Sequence, residues 1–392
     1  MFFPFRSNAG PLCLICLLCL PSAVQSAAGQ VNRSTVHPTS ENIPEATDPS
    51  LVIDLSDIDR WPEGPFVPDT TGMETAIFGR EDGEEYELLI RVQDIATDGQ
   101  GNIFVLDADI TAMPTSDSKT VHVIDTGAQY LTNFGSSGEG PGEFMYPARV
   151  LVTESGERIL VAGRDREVEV FERTGQGGYR YLRSWKTRVS AHDACILRDH
   201  IYLLAYDPAS GHVIHKYSLD GEYVHGFGEP YASTNAYVVS LLSTEGSLSC
   251  IAQHGVIGHI RDNIPVLAAY SEDGAPLWRV RAEGIKPEAT ISVDVNSDGE
   301  FQIAFLTPYP PKKGSGQLTV SQAYGDGHFY LGVRKSLGDE DRRDLVFRVD
   351  ALSGAWTHLG HGTMPRITED DLIVSSRGGR KTTPQVVARS RH

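Results

Sequence analysis

The chain has 392 residues, 40% of them hydrophobic, with 34 Lys and Arg against 52 Asp and Glu, a formal net charge of −18. A field of that sign repels phosphate backbones and anionic lipid surfaces, which argues against nucleic acid as a partner. With 39 glycines, 22 prolines and 5 cysteines, the composition fits a turn-rich globular protein held together by burial rather than by a disulfide framework.

Residues 1–28 read as a secretory signal peptide. Arg6 precedes an apolar run from Pro11 to Leu20, and small residues follow from Ser22 to Ala28, which is the order of charge, hydrophobic region and cleavage site. The run is shorter than the ~20 apolar residues of a membrane span. Cys13, Cys16 and Cys19 each follow a bulky residue (Leu12, Ile15, Leu18), where lipid attachment needs a small one, so a lipid-anchored form is the lesser reading. The mature chain is expected to be secreted or periplasmic, without a membrane span, and monomeric. Cys195 and Cys250 remain in it. Two buried thiols are preferred to a disulfide, with the second open in an oxidising compartment.

Residues 29–50 are polar and punctuated by Pro38, Pro44 and Pro49, the pattern of a flexible linker. Residues 51–392 then form one domain. Its apolar stretches are short, rich in β-formers and bounded by Gly, Asp, Asn or Pro, with no sustained helical period. The prediction is an all-β chain.

A repeat runs through it. The hairpin Val92–Asp107 aligns without gaps on Ala148–Gly163, Val238–Gln253 and Ile291–Leu306, and also on Leu318–Val333; Ala191–Tyr206 fits once its turn is tightened. Second hairpins follow at Val121–Phe134, Val168–Trp185, Val213–Phe227, Val266–Val280 and Leu345–Leu359. Units of four short strands repeating every ~40–50 residues are the signature of β-propeller blades. The terminal aromatics Phe134, Trp185, Phe227 and Trp278 are expected to pack between blades. Leu51–Gly79 and Ile367–Ser390 would share one blade, which closes the ring and removes free sheet edges. The expected fold is thus a six-bladed β-propeller of four-stranded antiparallel blades, with Ile291–Leu306 as an insertion; an incomplete seventh blade is the lesser alternative.

The segment Gly138–Phe144 (GEGPGEF), followed by Pro147 and the next strand, resembles the linker of NHL-type propellers. The layout from about Thr75 to Phe171 resembles the secreted bacterial six-bladed β-propeller family related to NHL repeats. That resemblance implies a fold and no particular activity. A phosphate cradle would have to open a helix after a strand, whereas Pro141 and another strand follow here.

Asp294, Asn296 and Asp298 before Gly299 match the first half of a calcium loop, but Phe305 stands where the bidentate Glu belongs, so a plain turn is preferred. The alignment places Gln93, Arg149, His192, Val239, Ser292 and Thr319 at the inner ends of the blades. Of these only His192, beside Asp193, has ligand chemistry, and a zinc site needs three ligands. His358 and His361 flank a turn glycine and read as surface residues. Gln93, Arg149, His192 and Asp193 are the candidates for a polar channel mouth. The function expected is a non-enzymatic binding scaffold for a protein, peptide or glycan, with no cofactor. The alternative is a calcium- or zinc-dependent lyase or hydrolase of the NHL/lactonase-like propeller type.

Overall fold

The computed structural model describes residues 34–36 and, between 51 and 390, all but short stretches, of which 67–72, 80–87, 109–118, 296–300 and 307–312 are the longest. Strands dominate it. Five four-stranded antiparallel blades follow one another along the chain. The first comprises Val92–Thr97, Ile103–Ala108, Lys119–Ile124 and Tyr130–Phe134. The second comprises Pro147–Val152, Arg158–Gly163, Glu167–Arg173 and Tyr179–Lys186. The third comprises Asp193–Leu197, His200–Asp207, His212–Ser218 and Tyr223–Phe227. The fourth comprises Gly246–Ile251, Val256–Arg261, Val266–Ser271 and Pro276–Glu283. The fifth comprises Ser315–Gln322, His328–Gly338, Asp341–Asp350 and Trp356–His361. The first strands of successive blades contact one another, which makes them the inner strands of a propeller. A further four-stranded sheet draws on both ends of the chain: Arg366–Glu369, Leu372–Gly379 and Thr382–Ser390, with Glu74–Phe78 antiparallel to the last of these.

Alternation within each strand builds the core. Ile103 and Val105 pack toward Phe78 and Val386, whereas Phe104 and Leu106 pack toward Val150, Ile159 and Phe171 of the second blade. Both faces are buried, so the strands read as continuous apolar runs rather than as alternating ones. The terminal aromatics do pack between blades. A Cβ at Gly221 would lie 2.6 Å from the ring of Trp185, one at Gly274 2.5 Å from Phe227, and one at Gly354 2.8 Å from Trp278. Each glycine has a positive φ (+90°, +81° and +71°) in the last turn of the next blade, so the residue meets the turn and the aromatic contact together. Trp278 also donates Nε1–H to the Ala351 carbonyl at 2.9 Å.

An N-terminal strap crosses the outer edges. Val52–Asp54 adds a parallel fifth strand to the fourth blade, and the Leu55 amide donates to the Glu283 carbonyl at 2.8 Å. Ile53 and Leu55 are fully buried between the fourth and fifth blades, and Lys335 Nζ donates to the Leu55 carbonyl. Trp61 then meets Phe347 edge-on at 5.4 Å and His358 at 5.1 Å, so His358 is partly covered rather than a free surface residue. The His361 amide donates to Gly64 and its carbonyl accepts from Phe66.

Three sequence expectations change. Val238–Gln253 is not a hairpin: Ala236–Thr244 forms a helix, α1, and the strand begins at Gly246. Asn235 caps α1 by accepting the amides of Tyr237 and Val238 at 3.0 and 3.3 Å, the usual start signal of a helix; Val239 therefore lies on α1 and not at an inner strand end. Cys195 and Cys250 form a disulfide that joins the inner strands of the third and fourth blades, where two thiols were preferred. Finally, Ser34–Val36, within the segment read as linker, pairs antiparallel with Ile291–Val293 of the hairpin Thr290–Val295 and Phe301–Leu306. That hairpin stands apart as a three-stranded sheet, an insertion between blades. No helix among the described residues is long and apolar enough to cross a membrane.

Candidate functional site

The inner strands of the first three blades carry a charged ladder. Asp94 lies opposite Leu106, Arg149 opposite Ala162 and Asp193 opposite Leu204, each within the inner hairpin of its blade. Arg149 reaches both neighbours: its Nε donates to Asp193 Oδ1 and its Nη1 to Asp94 Oδ1 at 3.1 Å. The remaining carboxylate oxygens bind backbone in the following blade. Asp94 Oδ2 accepts the Val150 amide at 3.0 Å, and Asp193 Oδ2 accepts the Leu248 amide at 2.9 Å.

Burial by itself would lower the Arg149 pKa, but Asp193 and then Asp94 outweigh it and hold the guanidinium above its ordinary value. One cation between two buried carboxylates is a stable arrangement when all three also hold hydrogen bonds. The Arg149 side chain keeps 22% of its surface exposed, so it is not sealed from solvent.

Of the four residues expected at the channel mouth, the structure brings Arg149 and Asp193 together and leaves Gln93 and His192 outside the ladder. Gln93 is half-buried on the innermost strand, and no hydrogen bond joins it to the ladder among the described residues. His192 is half-buried, its amide donates to the Leu204 carbonyl at 2.8 Å, and burial, then Arg164, push its pKa down to about 4. It is a neutral imidazole at physiological pH. Asp94 was missed, although Asp94 and Asp193 fall on the same column of the hairpin alignment.

The Gly138–Phe144 segment has its amides in use. Ser136–Ser137 pairs parallel with Glu143–Phe144. The Gly138 amide donates to the Phe144 carbonyl at 3.2 Å, Gly140 to the Glu143 carboxylate at 2.8 Å, and Gly142 to Glu169 at 3.4 Å. The carboxylates of Glu143 and Glu169 among these donors repel a phosphate and occupy the amides of Gly140 and Gly142 that would bind it. Burial, then the neighbouring Glu167, push the Glu169 pKa up to about 7.

Among the described residues no three His, Cys, Asp or Glu side chains converge in a way that could hold a metal ion. Asn296, Asp298 and the side chain of Asp294, the expected calcium loop, lie outside the described residues.

No family model matches the sequence, and no curated protein matches it. Solved structures do resemble it. A Bacteroides fragilis protein that carries the name of an exported protein aligns at TM-score 0.53 and 10% identity, over 86% of this chain and 98% of that one. The WD40 repeats of RRP9 align at TM-score 0.50 and 10% identity, over 81% of this chain and 97% of theirs. A member of the DUF4221 family from Bacteroides vulgatus aligns at TM-score 0.48 and 10% identity, over 81% and 96%. At these identities the likeness is one of fold, that of a β-propeller.

Proposed function

We propose that this chain is a six-bladed propeller related to NHL repeats, closed by the strand Glu74–Phe78 on Thr382–Ser390, and exported to the periplasm or the cell exterior. On this reading it is a non-enzymatic scaffold that binds a protein, peptide or glycan at the channel mouth around Gln93, Arg149 and His192.

The observation that carries the reading is the ladder. Its charges answer one another, so they serve to fix the geometry of the inner strands. What remains for a ligand is the partly exposed Arg149 side chain, the amide of Gln93 and the neutral ring of His192, which suit hydrogen bonding to carbonyl and hydroxyl groups. The Cys195–Cys250 disulfide supports an oxidising compartment.

The test uses protein lacking residues 1–28. Its binding to peptide and glycan arrays is measured, and its turnover of lactone and ester substrates is assayed with and without added calcium or zinc. Saturable binding that weakens in Gln93→Ala, whose side chain has no hydrogen bond among the described residues, supports the scaffold. Metal-dependent turnover with no binding overturns it in favour of a lyase or hydrolase.

A further inference from the structure

We infer that the seam between the third and fourth blades is proton-sensitive and that His259 is the group that makes it so. His259 lies on Val256–Arg261, the second strand of the fourth blade, opposite Leu248 on one side and Ala268 on the other. It shares a strand face with Ile257, which packs across the seam against a cluster containing Tyr202 and Leu204 of the third blade. The residue is 1% exposed, and among the described residues neither Nδ1 nor Nε2 has a hydrogen-bond partner. The other deeply buried imidazoles are better placed: His215 has Nε2 at 3.1 Å from the Ala205 carbonyl, and His122 has Nε2 at 3.9 Å from Asp107.

The surroundings offer a protonated ring nothing. The flanking strands Gly246–Ile251 and Val266–Ser271 carry no charged side chain, and neither do α1 and Ser315–Gln322, which both contact Val256–Arg261; the titratable groups of these four elements are Tyr237 and Tyr270. Across the seam, the Asp193 carboxylate is held by Arg149, the Ala194 amide and the Leu248 amide. Asp207 of the third blade is held by Ala209 and Ser210. On the His259 strand itself the nearest charge is Arg261, which donates to the Glu229 carbonyl, and Arg279 pairs with Glu229 at 2.8 Å. A second cation here would be buried, unpaired and repelled. In agreement, burial and then Arg261 hold the His259 pKa well below its usual value.

Any opening that wets the ring lets it take a proton at the ordinary value of about 6.5, so acid favours the open state. The closed-to-open ratio then falls about tenfold between pH 7.5 and pH 5.5. What can open is limited. The disulfide pins the inner strands of the two blades, which leaves α1 and the second strand of the fourth blade as the parts free to part.

The experiment is peptide-resolved hydrogen exchange on the full chain and on His259→Leu from pH 8 to pH 5, corrected for intrinsic exchange. Protection of 236–244 and 256–261 is expected to fall about tenfold by pH 5.5 beyond any change at Arg158–Gly163 in the second blade. In His259→Leu that fall is absent. An equal loss in the variant, or an equal loss at Arg158–Gly163, overturns the inference. If the variant does not fold, deuterium exchange at the imidazole C2 position of the unmutated chain replaces it. A His259 midpoint well below 6.5 agrees with the inference, and a midpoint at about 6.5 sinks it. Ligand binding does not enter, so this result stands or falls apart from the scaffold function.

Discussion

Asp193 does in the third blade what Asp94 does in the first: each places Oδ2 on a backbone amide of the next inner strand, Leu248 and Val150 respectively, and each turns Oδ1 to Arg149. Two carboxylates and one guanidinium thereby tie four consecutive blades at the channel. Asp193→Ala leaves Arg149 half-paired and the Leu248 amide unsatisfied, and is expected to lower unfolding free energy by about 3–5 kcal/mol. Arg149→Met leaves two buried carboxylates without a cation and is expected to cost at least as much. Urea unfolding of both variants checks this. A cost below about 1 kcal/mol for either contradicts the assignment.

The Cys195–Cys250 bridge spans the same blade pair. Replacing both cysteines by serine is expected to lower stability by about 2–4 kcal/mol. Reductant should lower the melting temperature of the unmutated chain but not of the double variant, as calorimetry with and without dithiothreitol can show.

Gly274 and Gly177 share a φ of +81°, but Phe227 covers the first and nothing lies within 4 Å of the second. Alanine at Gly177 should cost only the backbone strain of a left-handed residue, about 1–2 kcal/mol. Alanine at Gly274 should cost a further ~1–3 kcal/mol because the Phe227 ring must move. Equal melting temperatures for the two variants would remove the inter-blade contact from the account.

Glu169 gives the fold an unusual pH dependence. Its folded pKa is raised from 4.5 to about 7 by burial and then by Glu167, so the native state holds a proton that the unfolded chain releases. The contribution is fully present below pH 4.5 and is lost as pH rises through about 7. Glu169→Gln, which keeps the shape without the charge, is expected to stabilise at pH 8 by up to about 3 kcal/mol and to change little at pH 4. Denaturation curves at the two pH values decide it; equal differences would mean that folding leaves the carboxyl's pKa unshifted.

The blades were legible because their strands are buried on both faces, and their hairpins keep nearly constant length from copy to copy. Two things escaped for physical reasons. Val238, Val239, Leu241 and Leu242 are all buried, so α1 shows no polar face and its sequence passes for a strand; the Asn235 cap was the signal available. The ladder escaped because the inner hairpins skip a residue at the same place, Gln93 and Ala148, but turn over different lengths: Thr97 pairs with Ile103, whereas Val152 pairs with Ile159, one residue further on. A gap-free alignment therefore sets Arg149 over Gln93, one residue from Asp94, its true counterpart, and a one-residue slip reverses which face a side chain takes. The disulfide was not legible, since contact between Cys195 and Cys250 depends on how adjacent blades align along the channel.

The strap has a consequence for the order in which the molecule can be completed. Val52–Asp54 and Glu74–Phe78 are among the first parts of the fold to leave the ribosome, yet their partners are Arg281–Glu283 and Val386–Ser390. Contacts of such sequence separation form late and slowly. The nascent polypeptide therefore keeps these early strands without their partners until residues 281–283 and 386–390 have been made, so neither sheet can be completed while the chain between them is still being synthesised.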